Sequence, residues 1–270
     1  MNTMPSGDPE AGGPGLTTLD MVLPVLNEEV DLPINARVLH DFMAERLGDY
    51  EWRVVVADNG STDSTLDVAK ELSQEFPRIQ CISLEHRGRG RALRHAWTES
   101  KADIVGYMDV DLSTDLEALP TLVDAVRNGT CDIATGSRLI RGADVKRRPF
   151  KREVASRGYS LVFRTMFLTK FRDAQCGFKA LNRRTVENIV PLVRNQRWFF
   201  DTEMLILAEK NGYVVREIPV KWTDDPDTRV HIAGTAYEDM RGLLRLRFGG
   251  LARPAKLSGE GNSPAKNTNR

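Results

Sequence analysis

Cysteine is scarce in this chain. Cys81, Cys131 and Cys176 are the three among 270 residues, and they stand far apart without metal-ligand spacing. A count so sparse and odd excludes a disulfide framework and suits a reducing compartment. Net charge is absent as well. The 38 Lys and Arg balance 38 Asp and Glu, which argues against a general nucleic-acid binder. No run of about 18 apolar residues occurs, so no segment is expected to span a bilayer. Residues 1–15 are rich in Gly and Pro, carry two acidic groups and lack the basic and apolar regions of a signal peptide. They are read as part of a disordered leader over 1–18. The stretch over 249–270, with its Gly, Pro, Ser and Asn, is read as a disordered tail. The expected location is the cytoplasm, with peripheral contact at the inner face of a membrane.

What is present is alternation. Apolar, β-branched runs over 19–26, 52–57, 79–84, 104–108 and 131–135 read as strands. Between them, helical periodicity covers 32–47, 66–75, 92–100 and 116–128. Each crossover is long enough to return the chain parallel, which predicts an α/β fold with a mostly parallel, Rossmann-like sheet and helices on both faces. The first strand runs into Pro24-Val25-Leu26-Asn27-Glu28-Glu29 and not into Gly-x-Gly-x-x-Gly. A dinucleotide-binding dehydrogenase is therefore disfavoured.

The second half differs. Residues 153–173 mix Val154, Leu161, Phe163, Phe167 and Phe171 with Arg157, Arg164, Lys170 and Arg172. One reading is a core-packing helix with a solvated basic face. The other is a helix lying on an anionic membrane surface. Helices follow over 183–192, 204–211 and 235–247, and 214–222 alternates around Pro219 as an edge strand can.

The chemistry gathers at Tyr107-Met108-Asp109-Val110-Asp111. In an extended chain, side chains at i and i+2 share a face. Two clustered carboxylates repel unless a cation lies between them. Mg2+ or Mn2+ suits such oxygen ligands and also takes up phosphate oxygens. Asp109 and Asp111 are thus a candidate metal–diphosphate site at the carboxyl edge of the sheet, where open α/β sheets bind ligands. The plainer alternative is that they solvate and cap a loop.

Three stretches in order, Leu23-Pro24-Val25-Leu26-Asn27-Glu28-Glu29, Val56-Ala57-Asp58-Asn59-Gly60-Ser61-Thr62-Asp63 and Met108-Asp109-Val110-Asp111, resemble family 2 glycosyltransferases of the GT-A fold. Gly136-Ser137-Arg138, Gln175-Cys176-Gly177-Phe178-Lys179, Trp198-Phe199-Phe200-Asp201-Thr202-Glu203 and Glu217-Ile218-Pro219-Val220 resemble the polyprenyl-phosphate members, the dolichyl-phosphate glucosyltransferases and mannose synthases. The resemblance covers about 19–247, within one expected domain over 19–248 that has an acceptor-side helical region. It implies inverting, metal-dependent transfer of a sugar from a nucleotide-sugar to a polyprenyl monophosphate lipid. It further implies that Pro24, Leu26 and Glu28 line the base and ribose and that Asp58 holds the base edge. Asp109 and Asp111 would hold metal and donor phosphates, with Arg138 near the phosphates or the acceptor. Asp201 would line the acceptor side and Arg229 would close over the donor. Two departures stand out. Ser113 takes a position where mannose synthases carry Gln, which favours UDP-glucose, and the usual paired acids of the second strand are here Asp58-Asn59.

The acceptor decides what else is needed. A sugar hydroxyl needs a base within reach, for which Asp201 is the first candidate and Asp173 the second. Capping of the following helices is their alternative role. A phosphate monoester is already ionised near neutral pH and needs cations instead. Arg138, Arg147, Arg148, Lys151 and Arg152 supply them. Arg89, opening a helix, is expected to assist the donor phosphates. Two other readings stay open. One is a soluble enzyme of this family acting on a small-molecule acceptor; the other is a non-catalytic nucleotide-sugar-binding protein.

Overall fold

A computed structural model describes residues 15–147, 149–223 and 232–254. Arg148 and Arg229 lie outside the described residues, as do the ends of the expected leader and tail. The strands are β1 (Thr17–Val25), β2 (Tyr50–Asp58), β3 (Ile79–Ser83), β4 (Ile104–Met108), β5 (Ile133–Ser137), β6 (Asp144–Lys146), β7 (Phe178–Asn182), β8 (Val215–Pro219) and β9 (Lys221–Thr223). The helices are α1 (Leu32–Arg46), α2 (Thr65–Glu75), α3 (Arg89–Glu99), α4 (Leu119–Arg127), α5 (Phe150–Phe167), α6 (Arg183–Asn188), α7 (Phe200–Lys210) and α8 (Ile232–Gly249).

Seven strands form one sheet in the order β3-β2-β1-β4-β7-β5-β8. All pair parallel except β7, which runs antiparallel to both β4 and β5. The expected mostly parallel α/β sheet is therefore what forms. Side chains alternate between its faces, as the pleat requires. Leu19, Met21, Leu23 and Val25 of β1 join Ile104 and Met108 of β4 in a core covered by α1, α2 and α4. Val22, Val105 and Tyr107 point the other way, into a second core under α3, α5, α6, α7 and α8. A small parallel ribbon, β6 with β9, stands beside the sheet.

Several boundaries differ from the sequence reading. β7 was not expected, since Phe178-Lys179-Ala180 carries a lysine where a strand interior usually has none. The helix expected over 153–173 begins at Phe150 and ends at Phe167, because Leu168 turns left-handed at φ 51°. Arg172 and Asp173 therefore lie in a loop. α7 starts at Phe200, so Asp201 and Glu203 sit within its first turn and do not precede it. α3 starts at Arg89, which brings that side chain into the helix.

The second core is tight where α3 meets α7. A Cβ placed on Gly90 would fall 2.5 Å from the Phe200 side chain. Gly90→Ala is expected to cost about 1–3 kcal/mol by overpacking, read as a lower urea midpoint with an unchanged slope. An unaltered midpoint would show that the helices part freely.

Candidate active site

The parallel strands bring one set of loops to a single edge. Read along that edge, the sheet order places Asp58 at the end of β2, Leu26 and Glu28 after β1, Asp109 after β4 and Arg138 after β5. Strand spacings of about 4.8 Å put the ends of β2 and β4 roughly 10 Å apart, with the β1 loop between them. The direction of connection reverses between β1 and β4, the usual position of a ligand crevice in such sheets.

The first two loops lock together. Asn27, at φ 57°, accepts the Thr62 backbone N–H on its side-chain oxygen at 2.8 Å. The Glu28 N–H donates to Thr65 Oγ1 at 2.7 Å. Asp58 is buried, accepting from Ser61 N–H at 3.3 Å and from Ser83 Oγ at 3.2 Å. Pro24 pairs within β1, opposite Ala57.

β4 ends at Met108, and Asp109 to Leu112 form a turn closed by Leu112 N–H on the Asp109 carbonyl at 3.2 Å. The extended-chain rule for i and i+2 thus does not apply past Met108; a turn, not a pleat, sets the two carboxylates. Asp111 is exposed and its Oδ1 accepts from Ser113 N–H at 2.9 Å. Asp109 is half-exposed and its N–H donates to the Gly177 carbonyl at 3.0 Å. Gly177 presses against that carboxylate so closely that a Cβ would fall 1.8 Å from Asp109 Oδ2. No group of three or more His, Cys, Asp or Glu suited to a metal occurs among the described residues. One or two carboxylates suffice for Mg2+ or Mn2+, which complete their shell with water and substrate phosphates. Asp109 and Asp111 fit that pattern.

Beneath Asp109 lies a buried charge network. Arg89 donates through Nη2 to Asp109 and through Nη1 to Asp201 at 3.3 Å. Its guanidinium also lies over the rings of Tyr107 and Trp198, at 4.9 and 5.1 Å. Tyr107 Oη donates to Asp201 at 2.5 Å, and Lys179, wholly buried, sits 3.1 Å from the same carboxylate. Burial opposes the Arg89 charge, but Asp109, Tyr107 and Asp201 together hold its pKa above the ordinary value. Arg89 therefore serves two carboxylates here rather than standing open to phosphate. The first turn of α3 is also engaged, with Gly88 N–H on Asn59 and Arg91 N–H on the Gln196 carbonyl.

Arg138 is held by Asp173. Nε and Nη2 donate at 2.8 and 2.9 Å, and the Arg138 backbone N–H adds a third bond at 3.0 Å. Burial pushes the Asp173 carboxyl up, yet Arg138 outweighs it and holds the group at about 2. Both base candidates, Asp201 and Asp173, are thus partners of buried cations. A recess of about 300 Å³ beside Arg138 is lined by Leu139, Ile140, Val145, Glu153 and Arg157. Arg147 and Lys151 are exposed and Arg152 is half-buried; none of the three lines this recess. A larger recess of about 590 Å³, lined by His40, Tyr50, Trp52 and Arg78, opens at the other edge of the sheet, away from these groups.

Sequence reasoning gave no role to Tyr107, Lys179 or Trp198. The lone lysine between Phe178 and Ala180 was the one available signal.

Residues 20–190 match the family described as glycosyl transferase family 2. The chain is similar to glycosyltransferase AglD of Haloferax volcanii, 39% identical over 217 residues, which cover 79% of this chain and 34% of that protein. It thus spans about a third of that relative's length. It is also similar to the dolichyl-phosphate beta-glucosyltransferase of Dictyostelium discoideum, 26% identical over 241 residues, covering 85% of this chain and 74% of the relative. Among solved structures, glucosyl-3-phosphoglycerate synthase from Mycobacterium tuberculosis, in complex with Mn2+, UDP-glucose and glycerol 3-phosphate, aligns with a TM-score of 0.64 at 18% identity. That alignment covers 89% of this chain and 82% of the other.

The Arg138–Asp173 pair yields a pH test. The folded carboxyl sits near 2 against an ordinary 3.8. Its stabilisation is therefore complete above pH 3.8 and is lost as pH falls through about 2. The stability gap between wild type and Asp173→Asn, on the order of 2 kcal/mol from the pKa difference, should close over that window in denaturant titrations. A gap independent of pH would contradict the pairing.

Proposed function

This chain belongs to glycosyl transferase family 2, and from that premise we propose that it transfers glucose from UDP-glucose to a polyprenyl monophosphate. It is a glycosyltransferase with the GT-A fold. In the proposed reaction an acceptor phosphate oxygen attacks C1 of the sugar opposite the leaving diphosphate. The C1–O bond breaks, UDP departs and the configuration at C1 inverts. Asp58, Leu26 and Glu28 would receive the nucleoside, and the exposed Arg147 and Lys151 with half-buried Arg152 would receive the acceptor phosphate, next to an Arg138 that Asp173 already holds. A divalent cation held by Asp109 and Asp111 would neutralise the leaving diphosphate as a Lewis acid.

The observation that carries the acceptor class is the engagement of both base candidates. Asp173 faces Arg138, and Asp201 faces Arg89, Lys179 and Tyr107. A phosphate monoester arrives ionised and needs no base, so these pairs are compatible with it, whereas a hydroxyl acceptor would need a proton taken from it. Similarity to a dolichyl-phosphate beta-glucosyltransferase supports the same reading.

The outer surface supports delivery from a bilayer. α5 and α8 pack together, and Phe150, Leu161, Leu168, Tyr237, Leu244 and Phe248 are exposed on and beside them. Lys151, Arg157, Arg241 and Arg247 lie on the same helices. Apolar and basic residues together suit an anionic membrane surface. No helix among the described residues is long and apolar enough to cross a membrane.

Asp111→Ala is expected to lower transfer from UDP-glucose to a short-chain polyprenyl phosphate by about 100-fold or more. Asp111 is exposed, so the fold should persist, and full activity would refute the assignment. The wild-type chain is expected to sediment with anionic phosphatidylglycerol vesicles at low salt and to release at high salt. Absence of binding, together with turnover of a soluble acceptor, would favour the small-molecule reading.

A further inference from the structure

Asp239 lies on α8 and is 3% exposed. Its Oδ2 accepts from Gln175 Nε2 at 2.7 Å, and its Oδ1 is buried with no hydrogen-bond partner among the described residues. Among the described residues, the titratable groups facing it are acidic or phenolic: Glu238 on α8, Asp201 on α7 and Tyr159 on α5. Burial first, and then the Glu238 charge, push its carboxyl up to about 7. An unpaired buried oxygen costs free energy, and an apolar residue of similar size would pack the helix without that cost.

The partner of Asp239 matters more than its burial. Gln175 stands midway in the loop over 173–177. Its own N–H donates to Asp173 Oδ1 at 3.2 Å, and Asp173 clamps Arg138. Two residues on, the Gly177 carbonyl accepts from Asp109 N–H, and Gly177 abuts the Asp109 carboxylate. The loop thus has one anchor at Arg138, one at Asp109 and a third on α8. Two further ties seat α8 on the same side. Asn195 Nδ2 donates to Glu238 at 2.8 Å, and Arg245 Nη2 donates to Glu203 at 2.7 Å. Gly242 lies against Phe199, where a Cβ would fall 2.4 Å from the ring.

We infer that Asp239 is a positioning residue: its neutral carboxyl, through Gln175, holds the 173–177 loop that aligns Asp109 and Arg138, and its ionisation loosens that loop. The Gln175 bond by itself favours a charged Asp239, but a charged Asp239 is buried and faces Glu238 and Asp201 without a paired cation among the described residues, and burial with that repulsion outweighs the bond and drives the carboxylate off its seat. The same link passes the seating of α8, whose outer face carries Tyr237, Leu244 and Phe248, to the donor edge. The inference rests on the proposed glycosyl transfer for its kinetic readout only.

The sign is opposite to that of Asp173. With its carboxyl raised, Asp239 is neutral below about pH 7, and loop order is lost as pH rises through that value. Two measurements on the full chain test this, from about pH 5.5 to about 9. One is kcat and KM with Mn2+, UDP-glucose and a short-chain polyprenyl phosphate. The other is hydrogen exchange of the Asp109, Asp173 and Gln175 amides in the unliganded protein, corrected for the intrinsic rate. Wild type should lose both kcat and amide protection on passing pH 7. Asp239→Asn keeps an acceptor oxygen for Gln175 but cannot ionise, and should remove both pH dependences. Asp239→Leu should lower kcat at pH 6 by about tenfold, with protection lost at every pH, and the Asn variant should recover most of that loss. If the Leu variant does not fold, the comparison of Asn with wild type decides. Variants that lower the melting temperature while leaving the pH profile and the exchange as in wild type would overturn the inference. If wild type transfers no sugar, the proposed function fails, and the exchange alone decides: protection lost near pH 7 in wild type and retained in Asp239→Asn supports the inference, and pH-independent exchange overturns it.

Discussion

The structure turns on a charge balance buried under the end of β4. Lys179 is fully enclosed and Arg89 nearly so, and neither can be left unpaired. Removing one partner from such a pair typically costs about 3–5 kcal/mol, because the remaining charge stays buried. Asp201 meets both cations, and Asp109 meets Arg89 from the open side. Much of the local architecture follows from that requirement. β7 enters the sheet antiparallel, which sets Lys179 opposite Tyr107. α3 approaches α7 closely enough to need glycine at position 90, which brings Arg89 to Asp201. The outermost member of the network, Asp109, is the one left half-exposed at the edge.

Sheet order then arranges the groups around that point. The loop of Leu26 to Glu28 follows β1, Asp58 ends β2, the Asp109 turn follows β4, and the Arg138 clamp follows β5. Under the proposed function, a linear ligand with a base, a diphosphate and a sugar would lie along this edge in that order. The loop over 173–177 closes the arrangement, with Asp173 on Arg138 and Gly177 on Asp109. The helices α5 and α8 that back this side also carry the exposed apolar and basic surface, so the proposed acceptor end of the site lies on the same side as the surface that would meet a membrane.

The strand–helix alternation of the first half was legible because buried parallel strands are apolar runs and the helices between them show their own period. The strand over 104–108 has the bounds expected of it. Antiparallel β7 was not legible, since nothing local in Phe178-Lys179-Ala180-Leu181 states its place or direction in a sheet. The early end of α5 was hidden for a related reason: Leu168 adopts a left-handed conformation without the glycine or asparagine that usually marks one. Asp109, Asp111, Asp173 and Asp201 could all be picked as chemistry-bearing residues. Their partners could not. Arg138 and Asp173 are separated by 35 positions and Arg89 and Asp201 by 112, and only the folded chain joins them. That pairing turns two candidate bases into counter-ions, which in turn bears on the acceptor.

The claim on which all this depends is that the edge between β1 and β4 receives a nucleotide-sugar together with a divalent cation. Calorimetric titration of the protein with UDP-glucose and with GDP-mannose, each with and without Mn2+, tests it most directly. Saturable binding of UDP-glucose that requires Mn2+, and weaker binding of GDP-mannose, is the expected result. Failure of both nucleotides to bind in the presence of Mn2+ would contradict the account at its centre.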